Sequence, residues 1–106
     1  MLKPIFIWQN KVLKRINPDD VVLLSIDGNY TRIYLKNKKY YLVRSTLSGA
    51  LKKLPADVFV KISRSVAVSV YHIDEISRDH LLIDDDSIPI AKQYYESLID
   101  SLNIVK

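Results

Sequence analysis

Cysteine is absent from these 106 residues, and glycine occurs only twice. The first absence excludes disulfides and thiolate metal sites and accords with a reducing compartment. The second excludes a glycine-rich loop wrapped around phosphates. Long apolar runs are missing too. No stretch approaches the length of a membrane span, and Met1-Leu2-Lys3-Pro4-Ile5 lacks the apolar core and small-residue cleavage site of a signal peptide. There is no repeat, low-complexity segment or linker. His72 and His80 are not at the i, i+4 spacing of a helical zinc site. No serine lies in a nucleophile elbow or S-x-x-K setting. Asp84-Asp85-Asp86 lacks the alternating ligands, glycine and distant glutamate of a calcium loop, so it reads as a solvated turn. The expectation is a binding module rather than an enzyme, without cofactor or metal, soluble and cytoplasmic.

Apolar residues make up 48% of the chain, enough for one core, so residues 1–106 read as a single domain. The net charge of +4 is unevenly spread. Residues 1–53 carry eleven basic and three acidic side chains, and residues 54–106 carry five and nine. A basic half can neutralise phosphates and release their counterions, the main sequence-independent contribution to nucleic-acid binding. Lysines such as Lys36, Lys38 and Lys39 can equally be solubilising surface.

Short apolar runs separated by turn signals predict many strands. Ile5 to Trp8 and Val12 to Ile16 flank a polar spacer suited to a hairpin turn. Asn17-Pro18-Asp19-Asp20 marks a turn or a single helical turn. Val21 to Ile26 is nearly continuous and β-branched, as in a strand buried on both faces. Asp27-Gly28 is a strong hairpin signal, after which Tyr30, Arg32, Tyr34 and Lys36 share one strand face. That face admits two readings. Its aromatics and cations can grip nucleic acid, single strands included, or the tyrosines can simply support the cationic stems.

A strand from Lys39 to Arg44 follows. Leu47, Ala50, Leu51 and Leu54 then recur at helical spacing, with Ser45 or Thr46 as the N-cap and Pro55 as the stop. Gly49 within that helix suggests close approach to the sheet. Residues 70–76 continue as strand or irregular connection. Leu81 to Ile83 and Ile88 to Ile90 are strands around the aspartate turn, and Pro89 places the second at an edge or at its start. A helix from Lys92 to Asn103 closes the chain, with Tyr95, Leu98, Ile99 and Leu102 on one face.

The most informative stretch is Phe59-Val60-Lys61-Ile62-Ser63-Arg64-Ser65-Val66-Ala67-Val68-Ser69. A strand breaks at Ser63-Arg64-Ser65 and resumes at Val66, so a guanidinium flanked by serines is displayed between two apolar supports. With the Ile73 and Ile76 that follow, this segment resembles the signature of the LytTR DNA-binding domain, which reads F-V-R-I-H-R-S-Y-I-V-N and then I-x-x-I. Other landmarks occur in the family's order. Ser25-Ile26-Asp27-Gly28-Asn29-Tyr30 resembles I-E-A-x-G-N-Y, and Thr46-Leu47 with Leu51 and Leu54 resembles T-L-x-x-L-x-x-L. Ile88-Pro89-Ile90-Ala91-Lys92-Gln93-Tyr94 resembles I-P-V-S-R-x-Y.

The resemblance covers about residues 5–104 and implies a mainly β fold, an elongated stack of small antiparallel sheets with two short helices. It further implies sequence-specific binding of double-stranded DNA through loops, in the output domain of a transcriptional response regulator. By position, the contacts fall on Asn29 or Tyr30, on Ser63 and Arg64, and on Lys92, and Arg32 on the tyrosine-bearing strand face is a further candidate DNA contact. Arginine can read guanine bidentately, asparagine can read adenine, and lysine or serine can fix phosphates. Repeated promoter sites, a homodimer on DNA and a separate signalling partner are the implied associations, or else a regulatory domain preceding Met1.

This sequence departs from the pattern at Ser63 (often His), Ser69 (usually Asn), Ala91 (Ser) and Lys92 (Arg). Lysine lacks the arginine fork, and an alanine cannot cap the last helix. The altered Ser69 and Ala91 motivate an alternative, a protein–protein interaction domain that has kept the fold and lost base readout.

Overall fold

In the computed structural model, which describes residues 2–106, the alternating apolar runs resolve into three antiparallel sheets and two short α-helices. Ile5–Gln9 (β1) and Val12–Ile16 (β2) form a separate hairpin. Its loop residues Asn10 and Lys11 both have positive φ, 50° and 66°, the conformation of a type I′ turn. The central sheet contains Val21–Asp27 (β3), Tyr30–Leu35 (β4), Tyr40–Val43 (β5), Phe59–Lys61 (β6) and Val66–Ser69 (β7), in the order β5-β4-β3-β7-β6. Glu75–Ile76 (β8), His80–Ile83 (β9) and Asp86–Pro89 (β10) make the third sheet, ordered β10-β9-β8.

Strand alternation sends the side chains of the central sheet into two separate cores. Leu24, Ile33, Phe59 and Ala67 point to one side and meet Ile7 and Ile16 of the hairpin. Leu47 of the first helix, Leu47–Leu51 (α1), joins them there. Val60 and Val68 point to the other side. They meet Leu81 and Ile83 of β9 and Leu98 of the last helix, Tyr95–Asp100 (α2). Leu98 is fully buried, and burying a leucine side chain contributes roughly 1.5–3 kcal/mol. The hairpin and the three-stranded sheet therefore cover opposite faces of the central sheet. The resulting stack measures 47 × 30 × 25 Å, the elongated shape expected.

Four details differ from the sequence reading. Val21 and Leu24 of β3 are buried, but Ile26 near the loop end is 46% exposed although its cross-strand partner Thr31 is fully buried. Helix α1 stops at Leu51 instead of Leu54. The amides of Lys53 and Leu54 turn back to carbonyls three residues earlier, a tightened end that still buries Leu54 ahead of Pro55. Gly49 does not serve an approach to the sheet. A Cβ there would lie 3.0 Å from Thr46 Oγ1 and 3.1 Å from Ser45 Oγ, so its smallness makes room for the cap itself. In that cap Gly49 N–H donates to Thr46 Oγ1 at 2.9 Å.

The last helix is likewise shorter than Lys92 to Asn103. It opens as a 3₁₀ turn over Lys92–Tyr94 and becomes α-helical only from Tyr95. Ala91 at its start offers no side-chain acceptor for the free amides, and a tighter first turn is one way a helix closes without a cap.

Candidate nucleic-acid interface

The three loops named by the sequence converge on one end of the central sheet, and strand direction explains why. In an antiparallel sheet β3 ends where β4 and β7 begin, and β6 ends beside the start of β7. The β3–β4 and β6–β7 turns are therefore neighbours, with their centres about 10 Å apart at ordinary strand spacing.

The first turn is Gly28-Asn29, closed by the pairing of Asp27 with Tyr30. Gly28 takes φ 59°, which costs glycine nothing and other residues more. Gly28, Asn29 and Tyr30 are all exposed. The second turn is Ile62-Ser63-Arg64-Ser65. Ile62 anchors it in the core with no exposed surface, and its amide donates to Val66 O at 2.9 Å. Ser63 Oγ accepts from Ser65 N–H at 3.3 Å, which shapes the crest. Arg64 stands exposed on that crest. Among the described residues, no carboxylate forms an ion pair with Arg64 or with Lys92.

Main-chain hydrogen bonds fasten the three loops to one another. Ile26 N–H donates to Ser65 O at 3.0 Å, joining the first loop to the second. Ala91 N–H donates to Ile62 O at 2.8 Å, joining the second to the third, where Lys92 follows, exposed. Asn29, Tyr30, Ser63, Arg64 and Lys92 are thus brought to one end of the molecule.

Arg32 is differently placed. Its Nε donates to Asp27 Oδ2 at 3.0 Å, its Nη2 lies 2.8 Å from the same oxygen, and its Nη1 donates to Tyr34 Oη at 3.2 Å. The guanidinium also sits 5.0 Å from the centre of the Tyr40 ring. The hydrogen bonds to Tyr34 and then to Asp27 hold its pKa above the ordinary arginine value. Tyr34 packs on Tyr40, and Lys36 pairs with Asp20 at 3.4 Å. On this face Tyr34 and Tyr40 hold Arg32, whereas Lys36 turns to Asp20.

Two contributors escaped the sequence reading. Asp27 fixes Arg32, and Arg44 stands exposed just beyond Val43, which pairs with Thr31 at the loop end. Only strand register, which sequence alone does not supply, shows that Arg44 follows β5 at the loop end of the sheet. The two departures that suggested lost readout have structural surroundings. Ser69 lies at the far end of β7, fully buried, with its Oγ accepting from Tyr71 N–H at 3.3 Å. Ala91 contributes its amide to the loop junction.

A cleft of about 980 Å³ opens where the third sheet meets the central one, walled by Leu23, Tyr34, Val66 and Ile88. Lys38 and Asp86, 3.6 Å apart, bridge these two parts of the molecule. The aspartate turn is built into its own sheet, with Asp84 N–H donating to Asp74 Oδ2 at 2.8 Å.

Residues 11–103 match the LytTr DNA-binding domain family. The chain belongs to that family. That family is a DNA-binding domain family, and the matched residues contain the segments from Ser25 to Tyr94. The sensory transduction protein LytT of Enterococcus faecalis (strain ATCC 700802 / V583) is 24% identical over 95 residues, which cover 84% of this chain and 39% of that relative. The LytTr chain thus spans about two-fifths of the curated relative. A solved LytTr DNA-binding domain of a response regulator from Bacillus cereus superposes with a TM-score of 0.80 at 19% identity, covering 98% of this chain and 100% of that one. Strand β1 precedes the matched residues yet falls within the stacked fold. Among the described residues, no helix is long and apolar enough to cross a membrane.

Proposed function

We propose that this LytTr domain reads the sequence of duplex DNA through its three joined loops and acts in transcriptional regulation. Arg64 reads a base edge, Asn29 and Tyr30 contact the neighbouring position, and Ser63 and Lys92 hold phosphates on either side. Arg32, already turned towards Asp27, backs the first loop with positive charge rather than reading bases. The observation that carries this reading is Arg64 itself. It is a fork of donors exposed on a crest that backbone hydrogen bonds brace from both flanks. A guanidinium carried on a braced crest, with no ion-pair partner among the described residues, suits bidentate recognition of guanine. The spacing of about 10 Å between adjacent turns is also close to the width of a major groove, roughly 12 Å.

Selection of duplexes from a random pool, followed by footprinting, tests the proposal. The expected result is protection of a defined, repeated sequence, with affinity falling steeply as salt rises. Equal and feeble binding to every duplex would favour a protein–protein module instead. Preference for single strands with tyrosine quenching would move the site to Tyr30, Arg32 and Tyr34. Repeated sites would seat two copies, and a separate partner or attached domain would deliver the signal.

A further inference from the structure

The β1–β2 hairpin has a face that none of the described residues covers. Cross-strand pairing sets Trp8 opposite Leu13 and Phe6 opposite Arg15, so these four side chains share one side. Ile7 and Ile16 point the other way, into the core. Phe6 is 59% exposed, Trp8 66% and Leu13 49%. Large apolar side chains grouped on one face mark a contact surface more often than scattered ones do. Of the charges on the hairpin itself, Arg15 lies on this face and Lys11 in its turn, whereas Lys14 falls on the Ile7 side, over Tyr41. Residues 2–16 contain Lys3, Lys11, Lys14 and Arg15 and no acidic residue. Among the described residues none of these cations forms an ion pair.

The opposite side of the stack carries the complement. In the three-stranded sheet, Glu75 pairs with Leu82 and Leu82 with Ser87, a row that alternation turns away from the buried Leu81 and Ile83. Around that row Asp74, Asp79, Asp84 and Asp85 are exposed, outnumbering the exposed Arg78, and Asp79 also pairs with His80 at 2.8 Å. Because the hairpin and this sheet cover opposite faces of the central sheet, the basic apolar face and the acidic face look in opposite directions. A single copy cannot satisfy one with the other. A two-fold dimer through the hairpins would set cations against cations.

We propose that copies of this domain associate head to tail, with the Phe6–Trp8–Leu13 face of one docking on the Glu75–Leu82 face of the next. Charge complementarity selects this occupant over a symmetric pair. The contact is heterologous, so each added copy leaves a free face at either end, as a row of repeated sites requires. The patch is small, and association is weak in free solution. On adjacent sites, tethering raises the effective concentration to about millimolar and makes the same contact count. The contact does not depend on which residues read DNA, so its failure would leave the loop assignment untouched.

Sedimentation velocity of the full chain without DNA, at concentrations rising to about 1 mM, tests the proposal. Trp8, the chain's one tryptophan, supplies a second readout through its emission. The expected result is reversible association that weakens with salt, with a blue shift of Trp8 as copies associate. Trp8→Ser and the sheet variant Glu75→Lys/Asp85→Lys should each weaken it about tenfold or more. All these positions are exposed, and far-ultraviolet circular dichroism checks that the variants fold. Mixing the sheet variant with Lys11→Glu/Arg15→Glu should restore association that neither shows alone. A wild-type chain that stays monomeric throughout would overturn the proposal. So would association indifferent to the sheet variant, which would mean hairpin-to-hairpin contact. A Trp8 shift seen only with anionic vesicles would overturn it in favour of a membrane surface.

Discussion

The amide of Ala91 donates to the carbonyl of Ile62 across 2.8 Å, and this bond seats the third loop against the second. Ala91 has φ −67°, which a proline ring can adopt, but in Ala91→Pro the ring Cδ replaces the hydrogen aimed at Ile62 O, so the donor is lost and the junction is pushed open. The expected cost is about 1–3 kcal/mol, since Ile62 O loses its partner at a packed junction. Urea denaturation measures that cost. DNA affinity should fall in the still-folded variant, because Lys92 would no longer be held beside Arg64. Unchanged affinity would mean that the third loop acts independently of the second.

Ala91 also occupies the N-cap position of the last helix with ψ 138°, already the extended conformation a cap residue needs. Ala91→Ser adds a hydroxyl that can accept from a first-turn amide. It is expected to stabilise the domain by about 1 kcal/mol. A thermal melt checks the direction. No gain would mean that the 3₁₀ opening turn points its amides away from the hydroxyl.

Asp27 places a negative charge beside the loops and binds Arg32 at 2.8 Å. Asp27→Asn keeps the shape and an acceptor while removing the charge. Association with duplex DNA should become severalfold faster at low ionic strength, and the gain should shrink as salt screens it. Stopped-flow mixing at two salt concentrations would show this. A slower association would mean that the Asp27–Arg32 pair orders the first loop and that this outweighs its charge.

Much of the fold was legible because alternation is a local signal. Tyr30 to Lys36 announced their two faces by residue type, and the break at Ser63-Arg64-Ser65 announced the second turn. The short helices were harder. The apolar spacing runs to Leu54 and to Leu102, but an α-helix persists only while its free amides and carbonyls are satisfied. Lys11 takes positive φ with nothing in its side chain to signal it, because the neighbouring strands impose the turn. The loops proposed to read DNA were legible one by one through the family resemblance. Their union was not, since it rests on backbone bonds between residues far apart in the chain. The Arg32–Asp27 pair went unread because four residues intervene and only the hairpin register brings the partners diagonally together.

Ser69 tests whether a departure from the family pattern reflects lost function or altered packing. Its Oγ accepts from Tyr71 N–H deep in the structure, opposite Phe59 and away from the loop end of β7. Ser69→Ala should cost about 1 kcal/mol through the orphaned amide. Its melting temperature should drop by a few degrees, while DNA affinity measured well below the melt stays the same. Lost affinity in a folded Ser69→Ala variant would assign the residue to DNA binding after all.

Arg64 and Lys92 stand at one end of the molecule but should fail differently when truncated. A guanidinium that reads a base edge distinguishes one sequence from another, whereas an ammonium that neutralises a phosphate helps every sequence alike. Arg64→Ala is expected to weaken the selected site by about 1–3 kcal/mol and to relax preference at one base pair. Binding to unrelated duplex should change much less. Lys92→Ala is expected to weaken selected and unrelated duplexes by similar factors and to lower the salt slope by about one unit. Both side chains are exposed and lack ion-pair partners among the described residues, so neither substitution should move the melting temperature appreciably. Titrating the two variants against selected and scrambled duplexes at several salt concentrations separates the roles. If Arg64→Ala instead lowered the melt sharply, its guanidinium would belong to the scaffold and base readout would have to come from Asn29 and Tyr30.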